Sequence, residues 1–241
     1  MQTITFILIE PENPGNTGAV CRVLKNFNFE NLIVVGPKFD INSSELRNRA
    51  KWANDLVDNI KIVKKYDKNA LKKLKKDFDY LIATTARIGR DYNVLRSPIT
   101  PEQLAQRIGE LKKTKKTCIG ILIGREGSGL NNDEISSSDF TVTIPTSKKY
   151  GTMNMSHATA IIAYEIFKKT SKENIVSHIN PISSKEKNQI YKMINEILNK
   201  MNFTTKERRN TQRILWKKIL GKSFLSKREA YALMGFLRKM K

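Results

Sequence analysis

Cys118-Ile119-Gly120-Ile121-Leu122-Ile123-Gly124-Arg125-Glu126-Gly127-Ser128-Gly129-Leu130 is a short apolar run that stops in a turn carrying three glycines. Such a run lacks the 3.6-residue period of an amphipathic helix, and it reads as a strand buried on both faces. Further β-branched runs at residues 3–9, 32–35, 60–63, 80–84 and 140–144 read as strands too, with helical patterns between them. Alternation of this kind predicts an α/β fold, a mostly parallel sheet with helices on both faces. Thr100-Pro101-Glu102-Gln103 supplies a cap, a proline at the first helical position and a glutamine three residues after the cap, so a helix opens there before the fifth strand.

Beyond residue 169 the strand signal stops. Residues 170–183 are polar, contain Pro181 and read as a linker, and residues 184–241 change character. Ser183-x-x-Glu186, Thr204-x-x-Glu207 and Ser226-x-x-Glu229 match the reciprocal capping box, which predicts three short helices. Ile190, Met193, Ile194, Ile197, Leu198 and Met201 form one apolar stripe on the first of them. Trp52, Trp216 and the tail aromatics are expected in core packing.

The charge is +21, from 44 Lys+Arg against 23 Asp+Glu. Residues 168–241 hold 19 basic and 5 acidic side chains, against 25 and 18 in the longer first part. The tail is therefore the better candidate for gripping a polyanion, because each phosphate neutralised releases condensed counterions. A lysine-rich genome or a membrane surface would also account for the charge. No apolar run approaches the roughly 20 residues of a membrane span, and no basic leader precedes the first strand, so a cytoplasmic protein is expected. Cys21 and Cys118 read as reduced core thiols, and with His157 and His178 they assemble no metal cluster at the usual spacings. No metal is expected.

Three loops concentrate glycine, asparagine and proline where strands hand over to helices, the edge at which open sheets bind ligands. The first, Glu10-Pro11-Glu12-Asn13-Pro14-Gly15-Asn16-Thr17-Gly18-Ala19, leads into a helix bearing Arg22. It suits either a tight turn or close backbone approach to a ligand, with an arginine able to fork onto phosphate. The second, residues 124–130, departs from the P-loop and dinucleotide patterns, and its Glu126 would repel a phosphate, so a neutral or zwitterionic ligand fits better. The third, from Ile144 and Pro145 to Ala158, carries Asn154 and Ser156, which both donate and accept hydrogen bonds, with Ser156 one possible helix cap.

Taken in order, Asn13-x-Gly15-Asn16-x-Gly18-Ala19-x-x-Arg22, Gly124-Arg125-Glu126-x-x-Gly129-Leu130 and Pro145 with Asn154-x-Ser156-x-Ala158 resemble the three signature motifs of the SPOUT (trefoil-knotted, SpoU-type) RNA 2′-O-ribose methyltransferases. The resemblance covers residues 1–167. It implies a parallel-sheet SPOUT fold with a C-terminal trefoil knot over residues 118–160, S-adenosyl-L-methionine as methyl donor (S-adenosyl-L-homocysteine as product), and a homodimer that joins the donor pocket of one subunit to the first motif of the other. By position, it implies that Thr84, Thr85, Ala86, Gly124, Arg125, Glu126, Gly129, Ile144, Met153, Asn154 and Met155 line the methyl-donor site. Arg22 is then the catalytic arginine, supported by Asn16, Glu126 and Ser156. The helical extension resembles that of family members that methylate nucleotide 32 of the tRNA anticodon loop, a cytidine or uridine. Arg22, Arg208, Arg209, Arg213 and Lys217 are the expected RNA contacts, and residues 1–169 and 184–241 the expected domains. A ribosomal RNA substrate and a non-catalytic RNA-binding factor stay open as alternatives. Asn28 stands where many relatives have glycine, at a helix end whose left-handed conformation asparagine tolerates.

Overall fold

β-branched runs bounded by turn residues form six strands: β1 (Gln2–Ile9), β2 (Asn31–Val35), β3 (Lys61–Val63), β4 (Tyr80–Thr84), β5 (Thr117–Ile123) and β6 (Phe140–Val142). The structure, a computed structural model, describes residues 2–86, 97–111, 117–147, 149–171 and 181–240. The chain divides into two compact units, Met1–Ser171 and Lys172–Lys241.

In the first unit the strands form one sheet in the order β3-β2-β1-β5-β4-β6, and every pairing is parallel. Side chains alternate between two cores: Ile4, Phe6 and Leu8 of β1 face one, Ile7 and Ile9 the other. Helices α1 (Pro14–Asn26), α2 (Ser44–Ala50), α3 (Asn54–Asp58), α5 (Pro101–Glu110) and α7 (Met155–Thr170) cover the first face, while α4 (Lys68–Lys75) and α6 (Asn132–Ser137) cover the second. Burial on both sides is why the central strands read as unbroken apolar runs.

Two features of this topology place the site. The neighbours β1 and β5 send their following helices, α1 and α6, to opposite faces, which opens a crevice beyond their carboxyl ends. The strand expected at residues 140–144 ends at Val142, because Thr143 donates its N–H to the Ile99 carbonyl at 3.0 Å. β6 thus has β4 on one side and Ile99 on the other, the two ends of one connection that leaves β4 at Thr84 and returns at Ile99.

Local chemistry sets the helix ends. Asn13 caps α1 with Pro14 inside the first turn, and the Thr100–Gln103 box opens α5. Asn28 has φ +58°, the left-handed conformation. α7 is capped by Asn154 and not by Ser156, whose N–H the Asn154 side-chain Oδ1 accepts at 2.8 Å. Trp52 is 97% exposed, contrary to the core placement expected, because φ +55° at Lys51 ends α2 and turns the chain outward.

The second unit holds α8 (Ser184–Lys200), α9 (Lys206–Lys222) and α10 (Lys227–Lys239). α8 packs on both others through Ile190, Met193, Ile194, Ile197 and Leu198, which meet Leu220, Ala230, Met234 and Leu237; Met201, expected in the stripe, lies past the helix end and is exposed. The Ser183–Glu186 and Ser226–Glu229 boxes form. The box expected at Thr204 does not: Thr205 caps α9 by accepting the Arg208 N–H, and the Thr204 hydroxyl instead accepts from the Arg208 guanidinium. Trp216 packs half-buried against this core. Residues 172–180, most of the expected linker and His178, lie outside the described residues.

Candidate active site

A cavity opens at the carboxyl ends of β4, β5 and β6. Thr84, Thr85, Ala86, Gly124, Arg125, Glu126, Gly129, Ile144, Met153 and Met155 all line it, so the structure gathers segments separated by up to seventy residues of sequence around one space. Asn154 instead faces a second cavity next door. Sequence reasoning missed Val142, Thr146, Gly151 and Thr152, and missed Ala158 and Ile162, which form the α7 wall. The i, i+4 spacing of Ala158 and Ile162 was a usable signal.

The glycines of the second loop are required by its fold-back. The Arg125 and Gly129 backbones bridge, and a Cβ on Gly124 would lie 2.3 Å from the Gly129 carbonyl carbon and 2.4 Å from the Leu130 nitrogen. Gly129 itself has φ +70°.

Arg125 holds this loop. Its Nε and Nη2 donate to Glu10 Oε2 at 2.9 and 2.5 Å, Nη1 to the Gly129 carbonyl at 3.2 Å and to Glu134 Oε2 at 3.1 Å, and Nη2 to Glu134 Oε1 at 2.9 Å. Its other face covers the Tyr66 ring at 5.2 Å. The guanidinium is therefore committed to the protein, and Arg125 lines the cavity with its fork turned to the two carboxylates. Hydrogen bonds donated to Glu134 foremost, then to Glu10, outweigh burial and raise the Arg125 pKa. Burial pushes Glu10 up, but hydrogen bonds from Lys38 and Arg125 prevail and hold it below the usual carboxylate value. Burial, with Glu134 adding to it, pushes the Tyr66 phenol up to about 12. The opposed charges cancel locally.

Glu126 joins the loops. Its carboxylate accepts from the Glu12 N–H at 2.9 Å, the Asn13 N–H at 3.1 Å and Asn16 Nδ2 at 3.4 Å. Asn16 Oδ1 accepts from Asn154 Nδ2 at 3.1 Å, and Asn154 Oδ1 accepts from both the N–H and hydroxyl of Ser156 at 2.8 Å. One hydrogen-bond chain thus runs from the second loop through the first to the third. The chain borders both cavities: Glu126 lines the first, and Asn16, Asn154 and Ser156 line the polar one together with Glu45, Arg49 and His157.

Arg22 lies elsewhere. It is exposed on α1, lines neither cavity, and makes no hydrogen bond or ion pair among the described residues. On α9 the expected basic face divides. Arg208 and Lys217 are exposed, whereas Arg209 and Arg213 are half-buried against α8, donating to the Met201 carbonyl at 3.5 Å and to Asn199 Oδ1 at 2.6 Å. Arg209 and Arg213, four residues apart, thus lie on the side of α9 that packs on α8, while Lys217, four residues further on, faces solvent.

No helix among the described residues is long and apolar enough to cross a membrane, and no group of three His, Cys, Asp or Glu among them is placed to hold a metal ion. Cys21 is fully buried, which pushes its thiol up to about 12.

An all-parallel α/β sheet with glycine-rich loops gathered at its carboxyl edge is the arrangement expected of a SPOUT-type methyltransferase fold. The profile of the SpoU rRNA Methylase family matches residues 3–164, and the chain belongs to this family. A tRNA (cytidine-2′-O-)-methyltransferase TrmJ of Methanocaldococcus jannaschii is 38% identical over 96% of this chain and 97% of its own length. The TrmJ of Sulfolobus acidocaldarius is 32% identical over 99% of this chain and 93% of its own. The crystal structure of TrmJ from Z. mobilis ZM4 superposes with TM-score 0.70 at 24% identity, covering 99% of this chain and all of that one.

Proposed function

We propose that the chain is an S-adenosyl-L-methionine-dependent tRNA 2′-O-ribose methyltransferase acting on nucleotide 32 of the anticodon loop, a cytidine or uridine. The observation that carries this reading is that the second and third loops line one cavity together with residues 84–86, while the first loop, which borders the neighbouring polar cavity, is tied to them by the Glu126–Asn16–Asn154–Ser156 chain. The relatives named as tRNA (cytidine-2′-O-)-methyltransferases support the substrate.

The cavity fits the methyl donor. Val142, Ile144, Met153, Met155 and Ile162 offer apolar walls for a purine, while the backbone of residues 84–86 and 124–130 offers polar groups to a ribose and an amino acid. Its charged residues already have partners: Arg125 is ion-paired with Glu10 and Glu134, and the Glu126 carboxylate is hydrogen-bonded by two main-chain N–H groups and Asn16. When bound, S-adenosyl-L-methionine supplies an electrophilic methyl group. The residues supply position, which alone lowers such a barrier by roughly 7–11 kcal/mol. Asn16, Asn154 and Ser156 orient the attacking ribose hydroxyl by hydrogen bonds on the side facing the polar cavity. Arg22, exposed and uncommitted among the described residues, reaches the site of a partner subunit in a homodimer; there it clamps the adjacent phosphate and stabilises the developing alkoxide, since a guanidinium keeps its proton. The proton passes to that phosphate or to water.

Residues 1–169 form the transfer domain, with the chain over residues 118–160 knotted; the position of β6 between the two ends of one connection supports the threading. Residues 184–241 grip tRNA through Arg208 and Lys217, and the enzyme works in the cytoplasm. Incubation with S-adenosyl-L-methionine and tRNA transcripts bearing each base at nucleotide 32, followed by nucleoside mass spectrometry, tests the reading. Ribose methylation at that nucleotide is expected. A chain that binds the methyl donor yet leaves every tRNA unmodified would point to ribosomal RNA.

A further inference from the structure

The polar cavity beside the methyl-donor pocket holds an arginine that the motifs do not include. Arg49, on α2, lines it and makes no hydrogen bond or ion pair among the described residues. Its stem lies along a bare strip of α1: a Cβ on Gly18 would come within 2.9 Å of Arg49 Cβ, and one on Gly15 within 3.5 Å of Arg49 Cγ. Gly18 is the tighter of the two, because a Cβ there would also lie 2.3 Å from the Leu46 carbonyl oxygen, so α2 and the Arg49 stem pack directly on the α1 backbone. Glu45 lies one turn before Arg49, the spacing at which opposite charges commonly pair, yet the two do not pair. The Arg49 fork is left for an acceptor outside the chain.

We propose that Arg49 binds a phosphate of the RNA strand next to the target ribose, a substrate contact separate from that of Arg22. The inference rests on the reading of the chain as an RNA 2′-O-methyltransferase. Three observations carry it. Asn16, Asn154 and Ser156, the groups able to hold the ribose, line the same cavity as Arg49, so a phosphate beside that ribose falls on the Arg49 side. A planar fork matches a phosphate in bidentate fashion. Arg49 packs beside Gly18, one turn before Arg22 on α1, so it stays at its own subunit's polar cavity while Arg22 serves the partner's site. The chain's charge of +21 favours a polyanion over an acidic protein patch as the occupant. Glu45 opposes an anion here, which gives the proposal a second sign to test.

The test uses the full chain with Arg49→Gln, Arg49→Lys and Glu45→Gln. Arg49→Gln is expected to weaken tRNA binding about tenfold. It should lower the slope of log K against log salt by about 0.7 to 0.9, one phosphate's worth, between about 50 and 200 mM salt. KM for tRNA should rise while kcat stays within about twofold, with calorimetric affinity for S-adenosyl-L-methionine and sedimentation mass unchanged. Arg49→Lys should keep the salt slope and lose part of the affinity, and Glu45→Gln should tighten binding. A wild-type slope in Arg49→Gln overturns the proposal. So does a drop in its sedimentation mass, which would make Arg49 a contact between copies of the chain. Should Arg49→Gln fail to fold, Glu45→Gln decides: unimproved tRNA binding overturns the proposal. A wild-type chain that transfers no methyl group to RNA sinks the wider reading; wild-type turnover with an unaltered Arg49→Gln slope sinks this one alone.

Discussion

Replacing Arg125 with leucine removes five hydrogen bonds and the guanidinium that pairs with both Glu134, whose side chain is fully buried, and Glu10, whose side chain is 15% exposed. Breaking a buried pair by deleting one partner costs about 3–5 kcal/mol, because the remaining charge stays desolvated. The lower end applies here. Glu134 keeps the Asn131 N–H at 2.6 Å, and Glu10 keeps Lys38. A loss of about 3 kcal/mol in a unit of this size lowers Tm by roughly 6–12 °C. Thermal unfolding followed by circular dichroism at pH 7 measures it. Arg125→Lys should fall between, since a point charge cannot bridge two carboxylates as a fork does. Adding Glu134→Gln to the leucine variant should recover a good part of the loss by removing the unpaired charge. A leucine variant melting within about 2 °C of wild type, or a double variant whose losses simply add, would refute the latch.

Gly124→Ala places a Cβ against the Gly129 and Leu130 backbone, so the loop must open; titration calorimetry should show affinity for S-adenosyl-L-methionine at least about tenfold weaker. Glu10 has its pKa lowered by folding, so the stability it contributes is present above the ordinary carboxylate pKa of about 4.3 and is lost as pH falls through the lower folded value; Glu10→Gln should flatten that acid limb in urea unfolding. Cys21, fully buried with its thiol pushed up to about 12, should react with a thiol reagent only after denaturation, and fast native labelling at this residue would contradict the packing of α1. Reversing Arg208 and Lys217 to glutamate should weaken tRNA binding and flatten its salt dependence while the affinity for S-adenosyl-L-methionine holds.

Much of the fold is legible because it is written in local patterns. The apolar strands follow from burial on both faces, the Ser183, Ser226 and Thr100 boxes close as their spacing implies, and Asn28 adopts the left-handed conformation its position demands. Where local signals compete, the reading slips. Thr204 and Thr205 offer equivalent hydroxyls, and the one nearer the helix takes the cap while Arg208 recruits the other. The members of the candidate site were readable from loop composition and motif order, but their roles were not. Arg125 and Glu126 are adjacent in sequence, yet one turns to Glu10 and Glu134 and the other to the Asn13 loop, over separations of up to 115 residues. Arg209 and Arg213 show the same limit: a four-residue charge spacing fixes a shared helix face and leaves open whether that face meets solvent or α8.

Hydrogen-exchange mass spectrometry of the full chain with and without S-adenosyl-L-methionine tests the convergence of the loops most directly. Residues 84–86, 124–130 and 143–155 should gain protection together on addition of the methyl donor, with the sheet beneath unchanged. Protection of only one of these segments, or of a surface away from the carboxyl ends of β4 and β5, would contradict the account.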